Sequence, residues 1–584
     1  MALRRSVVDY DVGGYGNGAA REVLTLFGLL ARLLSPRRDD DQWDTFEIRA
    51  EVLAVVRTLT SATRVLDVLT LLGGQEGVRF YVTINPGSAF AEGLDGYLGS
   101  LRGFTPLSWR DATRRRFDLA VACTVNRSMH QLRAPLLVLP HGVGYNRLVR
   151  PTTGDSHSPA GLSRRELTWH GKVIPAAIGV SHPEQIERLR HSCPEAVPFV
   201  RLVGDHCFDR MLVSLPVRDR YRRRLGAVDG RKLVVISSTW KKYSLLAQHL
   251  DLVRRFVREL PLDEYAVAVV LHPNIWTRHA PEELLGEARQ AGLMLIPPQD
   301  GWQAALVAAD WVIGDHGSVS VYGAALDRVT LLGATGSEEL DPRSPTYAFG
   351  QNAPRLDAHA PLEPQLRRAA ERHRQGDAAA LTGLAIGEHE RSALLLGEII
   401  FSYLDGIEAP KGEARPSCYP DPVPLATGRP TAYDVVGEVT ADGVRIRRYP
   451  LDSHDGLPRG LRALTDEEND PRRRPGADVL ARTEPRAELA PLDWLSQVLD
   501  ELPGLVVAVA AVAEDRHLLR LRTGLLLRAE TVPAWEAAPD RLDPVVLGAA
   551  VTLWLTAHPE ADLTGTELVI TTGRSHTVRF TAHA

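Results

Sequence analysis

Short apolar runs, separated by segments with helical spacing, organise the chain from Glu51 to about residue 400. Val52–Val56, Arg79–Ile84, Phe117–Cys123 and Pro135–Leu139 read as strands, and Thr60–Leu72 reads as a helix entered through small hydroxyl residues. Strand-length apolar runs joined by helices predict parallel strands covered on both faces. A second unit of the same kind begins at Lys232. Its strands are LVVISS at 233–238, Tyr265–Leu271 and Leu293–Ile296; helices are expected at Leu245–Leu260 and Trp302–Ala308. The segment Ala309–Gly333 closes it with an apolar strand, a small-residue loop, an Ala-rich helix and a second apolar strand.

Beyond residue 400 the pattern changes. Leu395–Tyr403 reads as a helix returning to the core, and Glu408–Pro430 is Pro-rich and reads as a linker. Val435–Tyr449 alternates around Ala441-Asp442-Gly443, a hairpin signal, and the charged stretch Thr465–Asp478 reads as a flexible connection. A helix at Leu492–Leu502, strands near 505–512 and 516–528, a helix near 543–557 and a terminal hairpin turning near Gly573 complete an α+β unit. At the other end, Val23–Leu34 is apolar but short, with Arg32 inside it. It fits a buried amphipathic helix or one lying on a membrane surface, and no run is long enough to span a bilayer.

Composition narrows the class. With 584 residues, 44% of them hydrophobic, the chain can fill several cores. A net charge of −5 argues against a protein that coats nucleic acid. Four cysteines, at 123, 193, 207 and 418, have no paired metal-ligand spacing and fit a reducing compartment. Neither H-E-x-x-H nor G-x-S-x-G occurs, so no zinc-protease or serine-hydrolase motif is present.

Candidate chemistry sits where strands end, the place at which open α/β sheets hold ligands. His141 follows a strand and precedes Gly142 and Gly144, which permit close backbone approach; an imidazole there suits proton transfer near neutral pH. Ser237, Ser238, Thr239 and Trp240 lie between a strand and a helix, beside Lys241 and Lys242, a set able to hold a diphosphate. His272-Pro273 ends the next strand, and Asp315, His316, Gly317, Ser318 and Val319 occupy the loop before the Ala-rich helix. Each group also has an ordinary structural role open to it, as a strand-end histidine or a helix cap. His182 and the pair Asp205-His206 are weaker candidates.

On PHG at 140–142, HP at 272–273 and ADWVIGDHGSVSVYGAAL at 309–326, the chain resembles the CDP-glycerol glycerophosphotransferase family over roughly residues 50–400. That resemblance implies a GT-B-like arrangement of two Rossmann-like lobes, with a CDP-polyol bound between them and its phosphopolyol passed to an acceptor hydroxyl. It implies His141 as the catalytic base and Ser238, His272 and Ser318 as contacts of the donor phosphates. The family typically has Asp-Tyr-Ser-Ser where this chain has Asp315-His316-Gly317-Ser318.

The expected organisation is a helical segment over 1–45, an acceptor-side lobe over 46–225, a nucleotide-donor lobe over 226–407, a linker over 408–430 and an accessory α+β region over 431–584. The expected activity is metal-independent transfer from a nucleotide-activated donor, with no cofactor required and no nucleic-acid partner. The acceptor is a polymer, lipid-linked or soluble hydroxyl compound. The rival readings are a GT-B glycosyltransferase using a nucleotide sugar, and a nucleotide-binding scaffold without catalysis. The expected location is cytoplasmic, with a peripheral site at the inner membrane face permitted by 23–34. The tail either recognises the acceptor or supports a homodimer.

Overall fold

The computed structural model describes residues 47–73, 75–91, 93–409, 416–441, 443–451, 460–485, 490–532 and 541–583. The helical expectation for 1–45, Val23–Leu34 included, and Asp442 of the hairpin lie outside these residues.

The first sheet has seven parallel strands. They are β1 (Ala50–Val56), β2 (Val78–Ile84), β3 (Phe104–Leu107), β4 (Leu119–Ala122), β5 (Leu136–Val138), β8 (Ala177–Val180) and β9 (Val200–Leu202), with a two-stranded ribbon of β6 (Thr168–Trp169) and β7 (Lys172–Val173) outside it. Their order, β3-β2-β1-β4-β5-β8-β9, winds outward in both directions from β1, as in a Rossmann-like sheet. Helix α1 (Leu59–Leu69) enters through a capping box in which Thr58 Oγ1 accepts from Ser61 N. Strands β4 and β5 bury completely, as does β1 apart from Glu51, which explains why their sequences run apolar rather than alternating. Three strands, β3, β8 and β9, are short, and of these only β8, within AAIGV, shows as an apolar run.

Helix α2 (His206–Ser214) leads into the second sheet. There β10 (Lys232–Ser238), β11 (Tyr265–Leu271), β12 (Met294–Ile296), β13 (Trp311–Gly314) and β14 (Val329–Leu332) form a parallel sheet of order β12-β11-β10-β13-β14, again wound from its first strand. The helix expected over Leu245–Leu260 is broken at His249, whose extended φ of −141° separates Leu245–Gln248 from α3 (Leu250–Glu259). Helix α4 (Ser318–Ala325) follows β13, with Gly323 packed so closely that a Cβ would stand 2.9 Å from Val312 Cγ2. The later helix α5 (Ser392–Phe401) returns to the first sheet, where Leu396 and Ile400 join its core.

Residues 416–430 run extended along both lobes. Tyr419 is 4% exposed; its hydroxyl donates to Asp67 Oδ2 (3.1 Å), its N–H donates to Ser214 Oγ (3.0 Å), and its carbonyl accepts from the Tyr221 hydroxyl.

The C-terminal unit, expected only as α+β, is a closed nine-stranded barrel. Its strands are β15 (Ala432–Thr440), β16 (Gly443–Pro450), β17 (Leu461–Thr465), β18 (Val479–Arg482), β19 (Val507–Ala511), β20 (Arg516–Leu521), β21 (Leu526–Val532), β22 (Glu567–Thr571) and β23 (Ser575–Ala582). The single strand expected near 516–528 is two, because Gly524 adopts φ +94° and turns the chain between β20 and β21. Helix α6 (Pro491–Glu501) packs Trp494 and Leu495 against the barrel's outside. Helix α7 (Pro544–Ala557) is buried throughout Pro544–Thr552, among inward-facing residues from strands all round the barrel. An apolar helix with no wet face is a core filler. Gly548 lets it approach Val479 and Val509, whose methyls would stand 2.6 and 2.9 Å from a Cβ there.

The barrel docks on the second lobe through Arg448. This side chain, 9% exposed, donates to Asp263 Oδ1 and Oδ2 (2.6 and 2.9 Å) and to Asp543 Oδ2 (2.6 Å). Arg447 adds Glu264 (2.8 Å) and Glu363 (3.3 Å).

Candidate functional site

Strand register gathers the loops of the second sheet. Ser238 on β10 lies opposite Leu271 on β11, and Ile236 opposite Ile313 on β13. Thr239, His272 and Asp315 therefore emerge side by side at the strands' carboxyl ends. Asp315, 1% exposed, ties them together: its carboxylate accepts from Thr239 N (2.9 Å), Leu245 N (2.8 Å) and Gly317 N (3.0 Å), with Ser238 Oγ at 3.4 Å. Ser238 Oγ also accepts from Leu246 N (2.9 Å). These bonds make Asp315 and Ser238 the frame of the loops. Ser237 is buried at the end of β10, Pro273 opens the short helix Pro273–Trp276, and Val319 packs half-buried against the core.

The first lobe brings His141 to the same place. Leu139 N bonds Ala122 O (2.9 Å), so the chain leaving β5 passes over the end of β4, and His141 Nδ1 stands 3.2 Å from Cys123 O. A carbonyl only accepts, so Nδ1 carries the proton and Nε2 presents a lone pair. The residue is exposed to solvent, and neighbouring protein still takes part of the ring's hydration away. That desolvation holds its pKa below the usual value, the Cys123 carbonyl opposes the shift, and the charges of Arg64 and Arg147 add to it. The imidazole is thus neutral at pH 7, the form a general base needs.

His272 has the opposite tautomer. Its Nδ1 accepts from Asn274 N (3.1 Å), which leaves the proton on Nε2 as a donor. Desolvation, helped by Arg147 and His141, pushes its pKa down to about 3. The cleft therefore offers one imidazole able to take a proton and another able to donate a hydrogen bond.

The lobes touch at the site itself. Ser318 Oγ accepts from Val143 N (3.2 Å), and a Cβ on Gly142 would stand 2.5 Å from that oxygen, so only glycine lets the His141 loop approach α4 so closely. Arg147 reaches from the first lobe to Thr239 Oγ1 (3.3 Å) and Trp240 O (3.2 Å), and pairs with Glu339. His316 Nε2 lies 3.4 Å from the same Glu339 carboxylate. Trp240 is framed by Phe90 (4.8 Å between centroids), His272 (6.0 Å), Arg147 (5.0 Å) and Lys241 (4.6 Å). Farther in, Tyr322 joins the lobes by donating to Asp205 Oδ2 (2.6 Å) and accepting from Arg64 Nη2 (2.7 Å), while Arg64 Nε donates to His141 O (3.3 Å).

Sequence reasoning passes over Arg64, Arg147, Tyr322 and Glu339. Arg147 follows the PHG loop by only five residues, but no local pattern separates it from the chain's many surface arginines. Of the weaker candidates, Asp205 caps α2, and His206 faces a small cavity with both ring nitrogens buried and unpartnered. His182 Nδ1 accepts from Glu184 N (3.1 Å) and packs against Gly387. Among the described residues, no group of three or more His, Cys, Asp or Glu is arranged to hold a metal ion, and no helix is long and apolar enough to cross a membrane.

No family model and no curated protein matches the chain. Similar solved structures include the wall teichoic acid polymerase TagF, with TM-score 0.38 and 12% identity over 66% of this chain and 98% of that one. Others are the S. aureus MnaA–UDP complex (0.36, 12%, 64% and 100%) and a UDP-GlcNAc 2-epimerase from Neisseria meningitidis bound to UDP-GlcNAc (0.37, 14%, 61% and 100%). At TM-scores below 0.5 these likenesses carry no argument about chemistry.

Proposed function

We propose that the chain is a transferase that moves a phosphopolyol from a CDP-glycerol-like donor to an acceptor hydroxyl. The observation that carries this reading is the pair of oppositely oriented neutral imidazoles, His141 and His272, contributed by different lobes to one cleft. The acceptor hydroxyl attacks the donor's β-phosphorus from the side of the first lobe. The new P–O bond forms as the bond from β-phosphorus to the bridging oxygen breaks; CMP leaves, and the hydroxyl proton passes to His141 Nε2. His272 Nε2–H and the loop at 237–242 face the diphosphate and stabilise charge growing on the leaving group. Trp240 supplies an apolar wall, and Gly317, Ser318 and Val319 bring the N-terminus of α4 to the phosphates. Holding both reactants in one cleft accounts for much of the acceleration.

On this reading the divisions 46–225 and 226–407 correspond to acceptor and donor sides, joined through 408–430 to an accessory region over 431–584. Calorimetric titration with CDP, UDP and GDP derivatives, followed by product analysis, tests the assignment. Release of CMP with a phosphopolyol on the acceptor supports it. UDP release from a nucleotide sugar selects the glycosyltransferase instead, and donor binding without transfer across a broad acceptor panel selects a binding protein.

A further inference from the structure

Among the described residues, Glu339 is the carboxylate paired to Arg147 at the donor end of the cleft, and its surroundings are built for more negative charge than it carries. Arg147 grips it from the opposite lobe, and His316 Nε2 approaches the same oxygen. Lys241 lies close enough that the charges of Arg147 and Glu339 both act on it. Arg147 and Lys241 both act on this carboxylate. Polar atoms are also left unspent: Arg147 Nε and His316 Nδ1 are buried without a hydrogen-bond partner, and His316 is 3% exposed. The Lys241 backbone is held at φ +76°, a left-handed conformation that is strained for a non-glycine residue and clusters at ligand-binding loops.

We infer that the Glu339 carboxylate is an internal stand-in for the ligand's diphosphate, and that Arg147, with Lys241 beside it, binds that diphosphate once Glu339 is displaced. The inference rests on the proposed nucleotide-diphosphate donor and adds to it a binding residue from the acceptor-side lobe. A guanidinium suits the exchange because its fork accepts a carboxylate or a phosphate with the same geometry. Arg147 Nη1 and Nη2 already reach Thr239 Oγ1 and the Trp240 carbonyl, so the group is aimed at the 237–242 loop before any ligand arrives. Leu148 N donates to Glu339 O (2.8 Å), so releasing the side chain leaves the backbone bond between lobes intact.

Titration of the full chain with inorganic pyrophosphate, CDP and UDP tests this. Glu339→Gln is expected to bind pyrophosphate and CDP about fivefold to tenfold tighter than wild type, because the competitor loses its charge. Arg147→Gln is expected to weaken both by about tenfold or more, and Arg147→Lys to recover part of the loss. Tighter binding in Glu339→Gln cannot arise from misfolding. Unchanged affinity in Glu339→Gln and Arg147→Gln, with CDP still bound by wild type, overturns the inference and leaves the proposed function standing. The expected pattern with pyrophosphate, but no gain from a nucleoside on it, upholds the anion site and counts against the nucleotide donor. Absence of binding by all three ligands to wild type and Glu339→Gln overturns both.

Discussion

The cleft and the C-terminal barrel are built from the same material, apolar strands and a small-residue helix, and they spend it differently. In the lobes, parallel strands end together and leave His141, His272 and the 315–319 loop at one edge. In the barrel, strands close on themselves around α7, and the interior is filled by Val545, Leu547, Ala549, Val551 and the residues that face them. An open sheet must stop somewhere, and its carboxyl edge becomes a site; a closed one stuffed with an apolar helix has no such edge. On the proposed function, the difference places the chemistry in the cleft, while the barrel docks on the second lobe through Arg447 and Arg448.

The largest effect is expected at His141. His141→Ala should lower turnover by about 10²- to 10⁴-fold while donor affinity stays near wild type, measured by steady-state kinetics beside calorimetry. Because desolvation and positive neighbours hold this imidazole's pKa below 6.5, the acid limb of the wild-type pH–rate profile should fall below pH 6.5. A limb centred above 7 would contradict the assignment of the base.

Tyr419 sharpens the boundary between the two regions. If the segment after residue 416 belongs energetically to the lobes, Tyr419→Ala should cost about 3–5 kcal/mol in urea unfolding of the lobes, with the barrel transition unmoved. A chain ending near Pro410 should show the same weakness, and one ending after Leu425, whose N–H bonds Leu295 O (2.9 Å), should not. Equal stability of the two truncations would show that the segment is only a tether.

Gly548→Val probes the barrel alone. Two methyls within 3 Å of the new Cβ predict a loss of about 1–3 kcal/mol in the barrel, with nucleotide binding retained. Loss of nucleotide binding would show that the barrel supports the cleft.

The smallest effects are in pH. His272 titrates near 3 when folded and 6.5 when not, so the unfolded chain takes the proton first. Its contribution to stability is complete above pH 6.5 and is lost as pH falls toward 3. Glu339, held at about 2 by His316 and Arg147 against an ordinary 4.5, contributes fully above 4.5 and loses that as pH falls toward 2. His517 plays the corresponding part in the barrel, with a folded value of about 4 set by burial. Melting curves between pH 7 and 4 should flatten for the lobes in His272→Asn and for the barrel in His517→Asn. A crossed response would mean the two regions unfold as one.

Much of the lobes was legible in the sequence because parallel strands buried on both faces read as unbroken apolar runs, Val52–Val56 and Tyr265–Leu271 most plainly. The polar residues at their ends were legible for the same reason. Closure of the barrel was not, since the pairing of β15 with β17, and of β16 with β22, joins segments whose local alternation says nothing about their partners. Asp315 read as a candidate in the loop before the Ala-rich helix, but two of the three backbone amides that fill its carboxylate, Thr239 and Leu245, come from a segment some seventy residues earlier. Arg147 and Glu339 escaped notice because their meaning lies in meeting across the cleft, nearly two hundred residues apart.

The most direct test of the central claim is ³¹P NMR of CDP-glycerol incubated with a panel of hydroxyl acceptors and either wild-type or His141→Ala protein at pH 7. The account predicts acceptor-dependent CMP release by wild type, and its near disappearance in a His141→Ala protein that still binds the donor. CMP release by His141→Ala at the wild-type rate would contradict it.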